Sequence, residues 1–181
     1  MLLEQIGVPF RVRPSQILEE REAGESPEEC VTRLAKAKAD SVWGSLVPAE
    51  ARPVLAADTL VVIDDQVLGK PKDASDAVEM LAQLSGRSHR VLTAVALRYR
   101  DHALGCLNTS EVRFRATTSE ERIAYCETGE PMGKAGSYAI QGCGAVLVEH
   151  LNGSFSSVVG LPLAETAALL GELGFPLWQG R

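Results

Sequence analysis

Residues Val54–Ile63 read VLAADTLVVI, an apolar run of strand length that one carboxylate and one hydroxyl interrupt. A run without alternation is typical of a strand that is buried on both faces, as in the middle of an α/β sheet. Burying the carboxylate of Asp58 in such a strand is costly unless a cation or hydrogen-bond donors meet it. The segment therefore predicts an α/β fold in which Asp58 is either part of a polar site or a core aspartate that backbone donors satisfy.

A second polar group follows this predicted strand. After a turn at Asp64-Asp65, the chain returns to Gly69-Lys70-Pro71. Asp58-Thr59 in the middle of a strand, with Lys70 one hairpin later, is a layout typical of a phosphate and metal site. Together the two segments favour ligand chemistry over a purely structural aspartate.

Composition limits the classes of function. The chain has 181 residues, 45% of them hydrophobic and 23% charged, and a formal net charge of -6. This is enough for one α/β domain with a full core, although two small lobes are also possible. The negative charge argues against binding polymeric nucleic acid, but not against a small phosphorylated ligand. The sequence shows no membrane-spanning apolar stretch, no signal peptide and no CxxC pair, which predicts a cytoplasmic protein with reduced thiols and no zinc site.

The helix before the strand carries a further candidate. Ser26-Pro27-Glu28-Glu29 predicts a helix start with a capping box, and a loop is expected over residues 48–53. One face of this helix carries Val31, Leu34, Ala35 and Lys38. Lys38 is therefore either a cation delivered into a cleft or a snorkelling side chain at the helix end. Upstream, Glu19 lies in a charge run for which spacing alone favours a solvated loop.

The second half of the chain predicts a hairpin, a helix and a glycine-rich segment. Arg90–Tyr99 and Gly105–Phe114 alternate and predict a β-hairpin, with His89 and His102 at the surface. The helix that begins at Ser119 is expected to bury Ile123 and Tyr125. Residues 133–144 read GKAGSYAIQGCG, which fits neither a GxGxxG motif nor a P-loop. In that segment, Lys134 and Gln141 are the polar side chains that could reach a ligand.

The polar candidates match the chemistry of a polyphosphate site. Carboxylates such as Glu19 and Asp58 are the ligands that Mg²⁺ or Mn²⁺ prefers, and either can accept a proton from water. Lysines such as Lys38 and Lys70 act as point charges on phosphate. A bound metal neutralises phosphate charge and lowers the pKa of a water nucleophile. No GxSxG motif or Ser-His-Asp set supports covalent acyl chemistry.

Segments in order along essentially the whole chain resemble the Maf family, the septum-formation inhibitor-like nucleotide pyrophosphatases. The matching positions are Leu2-Leu3, Gly7, Pro9-Phe10, Arg33-Leu34-Ala35, Lys38-Ala39, Ala57-Asp58-Thr59, Val61, Gly69-Lys70-Pro71, Ala77, Met80-Leu81, Leu84-Ser85-Gly86, His89, Val91, Val112, Phe114-Arg115, Lys134–Gly142, Asn152-Gly153-Ser154 and Val159-Gly160-Leu161-Pro162. The resemblance implies a single Maf/ITPase-like α/β domain over residues 1–181, with a mixed twisted sheet flanked by helices and a cleft. It also implies hydrolysis of nucleoside triphosphates to the monophosphate and pyrophosphate with Mg²⁺ or Mn²⁺, and a possible homodimer.

By position, the resemblance implies a role for each candidate. Asp58 matches the proton acceptor, and Glu19 matches a carboxylate that binds the metal or positions water, so Glu19 and Asp58 are the expected metal ligands. Lys38 and Lys70 match lysines that contact phosphate, and Lys134 is a further substrate-binding candidate. Thr59 and Gln141 match positions that separate substrate subgroups. Their identities resemble the subgroup that acts on dTTP and UTP, and a glutamine amide can both donate to and accept from a pyrimidine edge.

Two alternatives and one departure from the family remain open at this point. The alternatives are the subgroup that acts on 7-methyl-GTP and a non-catalytic nucleotide-binding or regulatory homologue. Family members open with a strand and a Ser-rich loop that ends in Pro-Arg-Arg, just before the helix that corresponds to Leu2-Leu3. Because this sequence begins after that loop, the first strand of the sheet is expected to be absent, and low activity and stability are expected with it.

Overall fold

The computed structural model describes residues 2–47 and 52–178. The expected mixture of helices and strands is confirmed, and the loop expected over residues 48–53 lies mostly outside the described residues. The elements are α1 (Leu2–Gln5), α2 (Pro27–Gly44), β1 (Val54–Ile63), β2 (Gln66–Leu68), α3 (Ala74–Leu84), β3 (Ser88–Tyr99), β4 (His102–Phe114), α4 (Ser119–Glu127), β5 (Val148–Asn152), α5 (Phe155–Val159) and α6 (Leu163–Glu172). Two 3₁₀ turns, Ala135–Ser137 and Cys143–Leu147, lie between α4 and β5. No helix in the described ranges is long and apolar enough to cross a membrane.

The five strands form one sheet in the order β2-β1-β3-β4-β5. β1 and β2 pair antiparallel, with Val61 opposite Leu68, and the predicted Asp64-Asp65 turn joins them. Both aspartates have positive φ, which is the backbone conformation of a two-residue hairpin turn. β3 and β4 are neighbours joined at Arg100 and Asp101, so the predicted hairpin is confirmed. β4 also pairs antiparallel with β5, with an irregularity between Arg113 and Phe114.

The chain divides into two compact units. The first comprises residues 1–58, 93–108 and 160–181, and the second comprises residues 59–92 and 109–159. The first unit contains an apolar cluster built on Val95, Leu97, Leu169 and Leu170. A larger cluster in the second unit contains Val61, Ile63, Leu68, Leu81, Leu84, Val91, Val112, Phe114, Tyr125, Tyr138, Ile140 and Leu147.

Two predicted positions are wrong, and both errors concern burial. His89 is 2% exposed rather than at the surface, and its ring packs edge-to-face against Phe114 and Tyr138. It lies two residues before the buried Val91, on the same face of β3, so the alternation of the strand turns it inward. Ile123 on α4 is 47% exposed, whereas Tyr125 is buried as expected.

Candidate active site

Asp58, Lys38 and Glu19 meet in the first unit. Lys38 Nζ donates a hydrogen bond of 2.6 Å to Asp58 Oδ1, and it lies 2.7 Å from Glu19 Oε1. The Asp58 side chain is 8% exposed and that of Lys38 is 15% exposed, while Glu19 at 37% borders solvent. A cation therefore meets the carboxylate that β1 buries, and Lys38 is not a snorkelling side chain.

The sequence of α2 explains why a lysine reaches this position. The predicted capping box is present, because Ser26 Oγ accepts from the Glu29 amide at 3.2 Å and Glu29 Oε2 accepts from the Ser26 amide at 2.9 Å. Val31, Leu34 and Ala35 are buried on one face of the helix. Lys38 continues that face one turn later, so packing of the apolar stripe carries the ammonium group inward.

Electrostatics keep the Lys38 ammonium charged. Burial is the largest single influence and lowers the pKa of Lys38, but hydrogen bonds and charge from Asp58 and Glu19 outweigh it and raise the pKa above the ordinary lysine value. The two carboxylates and one ammonium carry a formal charge of -1 as a group. The arrangement therefore offers a fixed cation and two carboxylates at one point, which suits a ligand that brings both phosphates and a metal ion.

The donor set at this point fits a divalent cation that phosphate helps to bind. Two carboxylate oxygens already converge on a single positive atom, the Lys38 Nζ, at 2.6 and 2.7 Å. Mg²⁺ is commonly held by one or two carboxylates together with waters and substrate phosphates. Within residues 2–47 and 52–178, no group of three or more His, Cys, Asp or Glu side chains could hold a metal by protein ligands alone. A metal here would therefore take its remaining ligands from substrate and water.

The other predicted residues lie in the second unit. Thr59 follows Asp58 along β1, and Lys70 lies just after β2. The carbonyl of Gly69 accepts a 3.0 Å hydrogen bond from the Gly136 amide, which joins the segment of Lys70 to the glycine-rich segment. Gly136 has φ of +67°, and a Cβ there would lie 2.9 Å from the Val61 methyl groups. The segment is therefore glycine-rich partly because it packs its backbone directly on β1.

Lys134 lies near the start of this glycine-rich segment, and Gln141 lies in its second half. Lys134 precedes the first 3₁₀ turn, and its backbone carbonyl accepts a 3.1 Å hydrogen bond from the Ser137 amide. Gln141 is exposed, and it is the third residue of a turn closed by a 3.1 Å bond from the Gly142 amide to the Ala139 carbonyl. The structure thus places both side chains on a segment whose backbone is pinned by hydrogen bonds.

The structure adds two residues to this turn: Glu130, which the sequence does not single out, and Tyr125, which the sequence predicts only as a buried residue. The Glu130 carboxylate accepts hydrogen bonds from the Tyr125 hydroxyl and from the amides of Cys143 and Gly144. The only sequence signal was indirect, because Gly142 and Gly144 leave space beside the turn without indicating what fills it. Glu130 itself lies 13 residues before Cys143, beyond the reach of any local pattern.

The profile of the family described as "Maf-like protein" matches residues 1–173. The chain belongs to this family. The Maf resemblance of the sequence is therefore confirmed, and the match includes the segments of α2, β1 and the glycine-rich turn that carry the candidate residues.

Relatives of this Maf-like chain cover most of its length. A protein of Saccharophagus degradans named dTTP/UTP pyrophosphatase is 48% identical over 180 residues, which is 98% of this chain and 85% of that protein. A protein of Escherichia coli with the same name is 48% identical over 171 residues, covering 94% of this chain and 86% of that protein. A protein of Anaeromyxobacter dehalogenans with the same name is 50% identical over 183 residues, covering 98% of this chain and 91% of that protein.

Proposed function

We propose that this Maf-like protein is a nucleoside triphosphate pyrophosphatase that hydrolyses dTTP and UTP to the monophosphate and pyrophosphate. The observation that carries the proposal is the contact of buried Asp58 with Lys38 and Glu19, in a chain whose relatives are named dTTP/UTP pyrophosphatases. This contact supports the proposal because it brings together two carboxylates and a cation, which are groups suited to hydrolysis of a phosphoric anhydride.

In the proposed reaction, water attacks the α-phosphorus and the bond to the bridging oxygen breaks, so that pyrophosphate leaves. Asp58 accepts the proton of the attacking water, because only an ionised carboxylate can act as this base and the adjacent Lys38 stabilises the ionised form. The hydrogen bond of 2.6 Å from Lys38 also fixes the orientation of the carboxylate. Lys38 and Lys70 offset the negative charge of the phosphates.

The proposal includes a divalent metal, Mg²⁺ or Mn²⁺, held by Glu19 and Asp58 together with phosphate oxygens. When bound, the metal neutralises phosphate charge and lowers the pKa of a coordinated water. Thr59 and Gln141 select the base, since the amide of Gln141 can donate to and accept from a pyrimidine edge. Lys134 is the further substrate-binding residue in this assignment.

The proposal also covers the domain organisation, the oligomeric state and the cellular location of the enzyme. Residues 1–181 act as one functional domain, and two copies associate as a homodimer. The protein acts in the cytoplasm on free nucleotides, which the free state of its four cysteines supports. Analytical ultracentrifugation measures the number of copies, and a monomer at micromolar concentration would contradict the homodimer.

The test is pyrophosphate release from a panel of nucleoside triphosphates in Mg²⁺ or Mn²⁺. We expect dTTP and UTP to be cleaved at least ten times more efficiently than ATP or GTP. Asp58→Asn is expected to lower kcat by about 10²- to 10⁴-fold, the usual contribution of a general base. The matched control is Asp101→Asn, which makes the same change at the exposed tip of the β3–β4 hairpin.

Several outcomes would contradict the proposal in different ways. Nucleotide binding without pyrophosphate release would indicate a non-catalytic nucleotide-binding protein. Preference for 7-methyl-GTP would retain the reaction but move the chain to the other substrate subgroup. If Asp58→Asn kept more than a tenth of wild-type turnover, Asp58 would be a structural aspartate rather than the base.

A further inference from the structure

The carboxylate of Glu130 holds a turn of the second unit through hydrogen bonds. Glu130 follows α4, and its Oε1 accepts hydrogen bonds of 2.8 Å from the Tyr125 hydroxyl and 2.9 Å from the Gly144 amide. Its Oε2 accepts a 2.9 Å hydrogen bond from the Cys143 amide. Three donors on one carboxylate outweigh the cost of its desolvation, and the pKa of Glu130 lies below its ordinary value.

Tyr125 extends this contact to the other side of the turn. Its hydroxyl donates to Glu130 and accepts a 3.1 Å hydrogen bond from the Ala139 amide. The ring is 7% exposed, and burial, followed by the hydrogen bond to Glu130, raises the pKa of Tyr125. The hydroxyl therefore remains a donor at every pH at which the protein would be assayed. Gln141 lies between Ala139 and Cys143, so both flanks of its turn are fixed by the same pair of side chains.

The turn is also shaped around the carboxylate. A Cβ on Gly142 would lie 2.0 Å from Glu130 Oε2, and a Cβ on Gly144 would lie 2.6 Å from the Tyr125 hydroxyl oxygen. Gly142 has φ of -113°, a value that any residue adopts. Its lack of a side chain is therefore required by the close approach of Glu130, not by the backbone conformation.

We propose that Glu130, together with Tyr125, is a positioning residue that fixes the turn of residues 139–144 and so sets how well the Gln141 amide selects the nucleobase. This inference rests on the proposed function and adds to it the residues on which base selection depends. An exposed amide discriminates between bases only if its donor and acceptor are held in place, and misplacement by about 1 Å is enough to weaken such a contact strongly. If the turn were mobile, the Gln141 amide could shift to form hydrogen bonds with a pyrimidine or with a purine base.

The test compares base selection in Glu130→Gln and Tyr125→Phe with the wild type. Glu130→Gln places an NH₂ group, which can only donate, where a carboxylate oxygen accepts a hydrogen bond. At least one of the three hydrogen bonds is therefore lost. Tyr125→Phe keeps the buried ring and removes only the hydroxyl, which guards against failure to fold. The matched control is Glu127→Gln, which makes the same change of charge at the exposed end of α4.

We expect the ratio of kcat/KM for UTP over GTP to fall at least fivefold in both variants and to stay within twofold of wild type in Glu127→Gln. The fall should come mainly from a higher KM for UTP, since the contact of Asp58 with Lys38 involves other residues. A purely structural role would lower stability while leaving the ratio unchanged, and that result would overturn the inference.

Equilibrium binding separates this inference from the proposed function. The Kd values of UTP and GTP are measured by calorimetry for the wild type and for both variants. If the wild type binds UTP without releasing pyrophosphate, the proposed function fails, and the inference is then judged from the ratio of the two Kd values. An unchanged ratio in the variants, or a wild type that does not prefer UTP, would overturn the inference.

Discussion

The close approach of Glu130 to Gly142 predicts that the cost of a substitution at Gly142 depends on whether the Glu130 side chain is present. In Gly142→Ala, the new Cβ would lie 2.0 Å from Glu130 Oε2 and 2.5 Å from its Cδ, whereas ordinary contact begins near 3.4 Å. The carboxylate must therefore move by 1.4 Å or more, the difference between 3.4 and 2.0 Å. Such a shift breaks the 2.9 Å hydrogen bond from the Cys143 amide and distorts that from the Gly144 amide.

The expected cost follows from those hydrogen bonds. Each bond to a charged acceptor contributes roughly 1.5–3 kcal/mol, and part is recovered when the displaced carboxylate meets water. Gly144 is buried, so its amide does not recover a partner as easily as the amide of exposed Cys143. We therefore expect Gly142→Ala to lower the free energy of unfolding by about 3 kcal/mol. In a Glu130→Ala background the obstructing side chain is gone, and the same substitution should cost about 0.5 kcal/mol or less.

The four proteins of this cycle are the wild type, Gly142→Ala, Glu130→Ala and the double variant. Their free energies of unfolding are measured by urea unfolding at pH 7, followed by circular dichroism. Gly144→Ala is the internal control, because its Cβ would also lie 2.9 Å from the backbone carbonyl oxygen of Ala139. Removing Glu130 does not relieve that backbone contact, so Gly144→Ala should remain costly in both backgrounds. If Gly142→Ala cost the same with and without Glu130, the carboxylate would not be what requires glycine at position 142.

Three more predictions concern buried charge and specificity. Burial lowers the pKa of His89 from 6.5 to about 4. The contribution of the neutral, buried imidazole to the free energy of unfolding is therefore complete above pH 6.5 and is lost as the pH falls towards 4. That loss is about 3 kcal/mol, and unfolding of His89→Gln should depend less steeply on pH across this range; equal slopes would contradict it. Lys38→Met leaves Asp58 without its ammonium partner and should cost about 3 kcal/mol, and Mn²⁺ should raise its Tm more than that of the wild type. Equal Tm shifts would mean that the Lys38 ammonium does not compete with Mn²⁺ for the carboxylates of Asp58 and Glu19. Gln141→Glu should move preference from UTP towards 7-methyl-GTP, and an unchanged substrate profile would remove Gln141 from base selection.

Local patterns in the sequence were sufficient for the elements that position the first part of the candidate site. The largely apolar run of β1, the Asp64-Asp65 turn and the capping box at Ser26 are each determined by residues within a few positions of one another. The same holds for the apolar stripe that carries Lys38 inward. Glu19 is different, because its spacing favours a solvated loop and only the family resemblance indicated a contact with the site. The structure places it 2.7 Å from the Lys38 ammonium.

Residues whose partners lie far along the chain were missed for a physical reason. Glu130 gains its position from amides 13 and 14 residues later, and no periodicity encodes a contact of that separation. The sequence predicts His89 at the surface because a lone histidine near a strand start has no strong preference for the interior. Its contacts with Phe114 and Tyr138 come from strands and turns 25 and 49 residues away in sequence, counted as 114 minus 89 and 138 minus 89.

Two carboxylates in different parts of the chain thus receive fixed donors, and the kind of donor indicates what each can control. Asp58 meets an ammonium group, which suits chemistry on the triphosphate that every nucleotide substrate shares. Glu130 meets backbone amides and a hydroxyl, which suits holding a turn in one shape. Substitutions at Lys38 should therefore slow all substrates by a similar factor, because the phosphates do not differ between them. Substitutions at Glu130 should instead change the ranking of substrates, because only the base distinguishes one nucleotide from another.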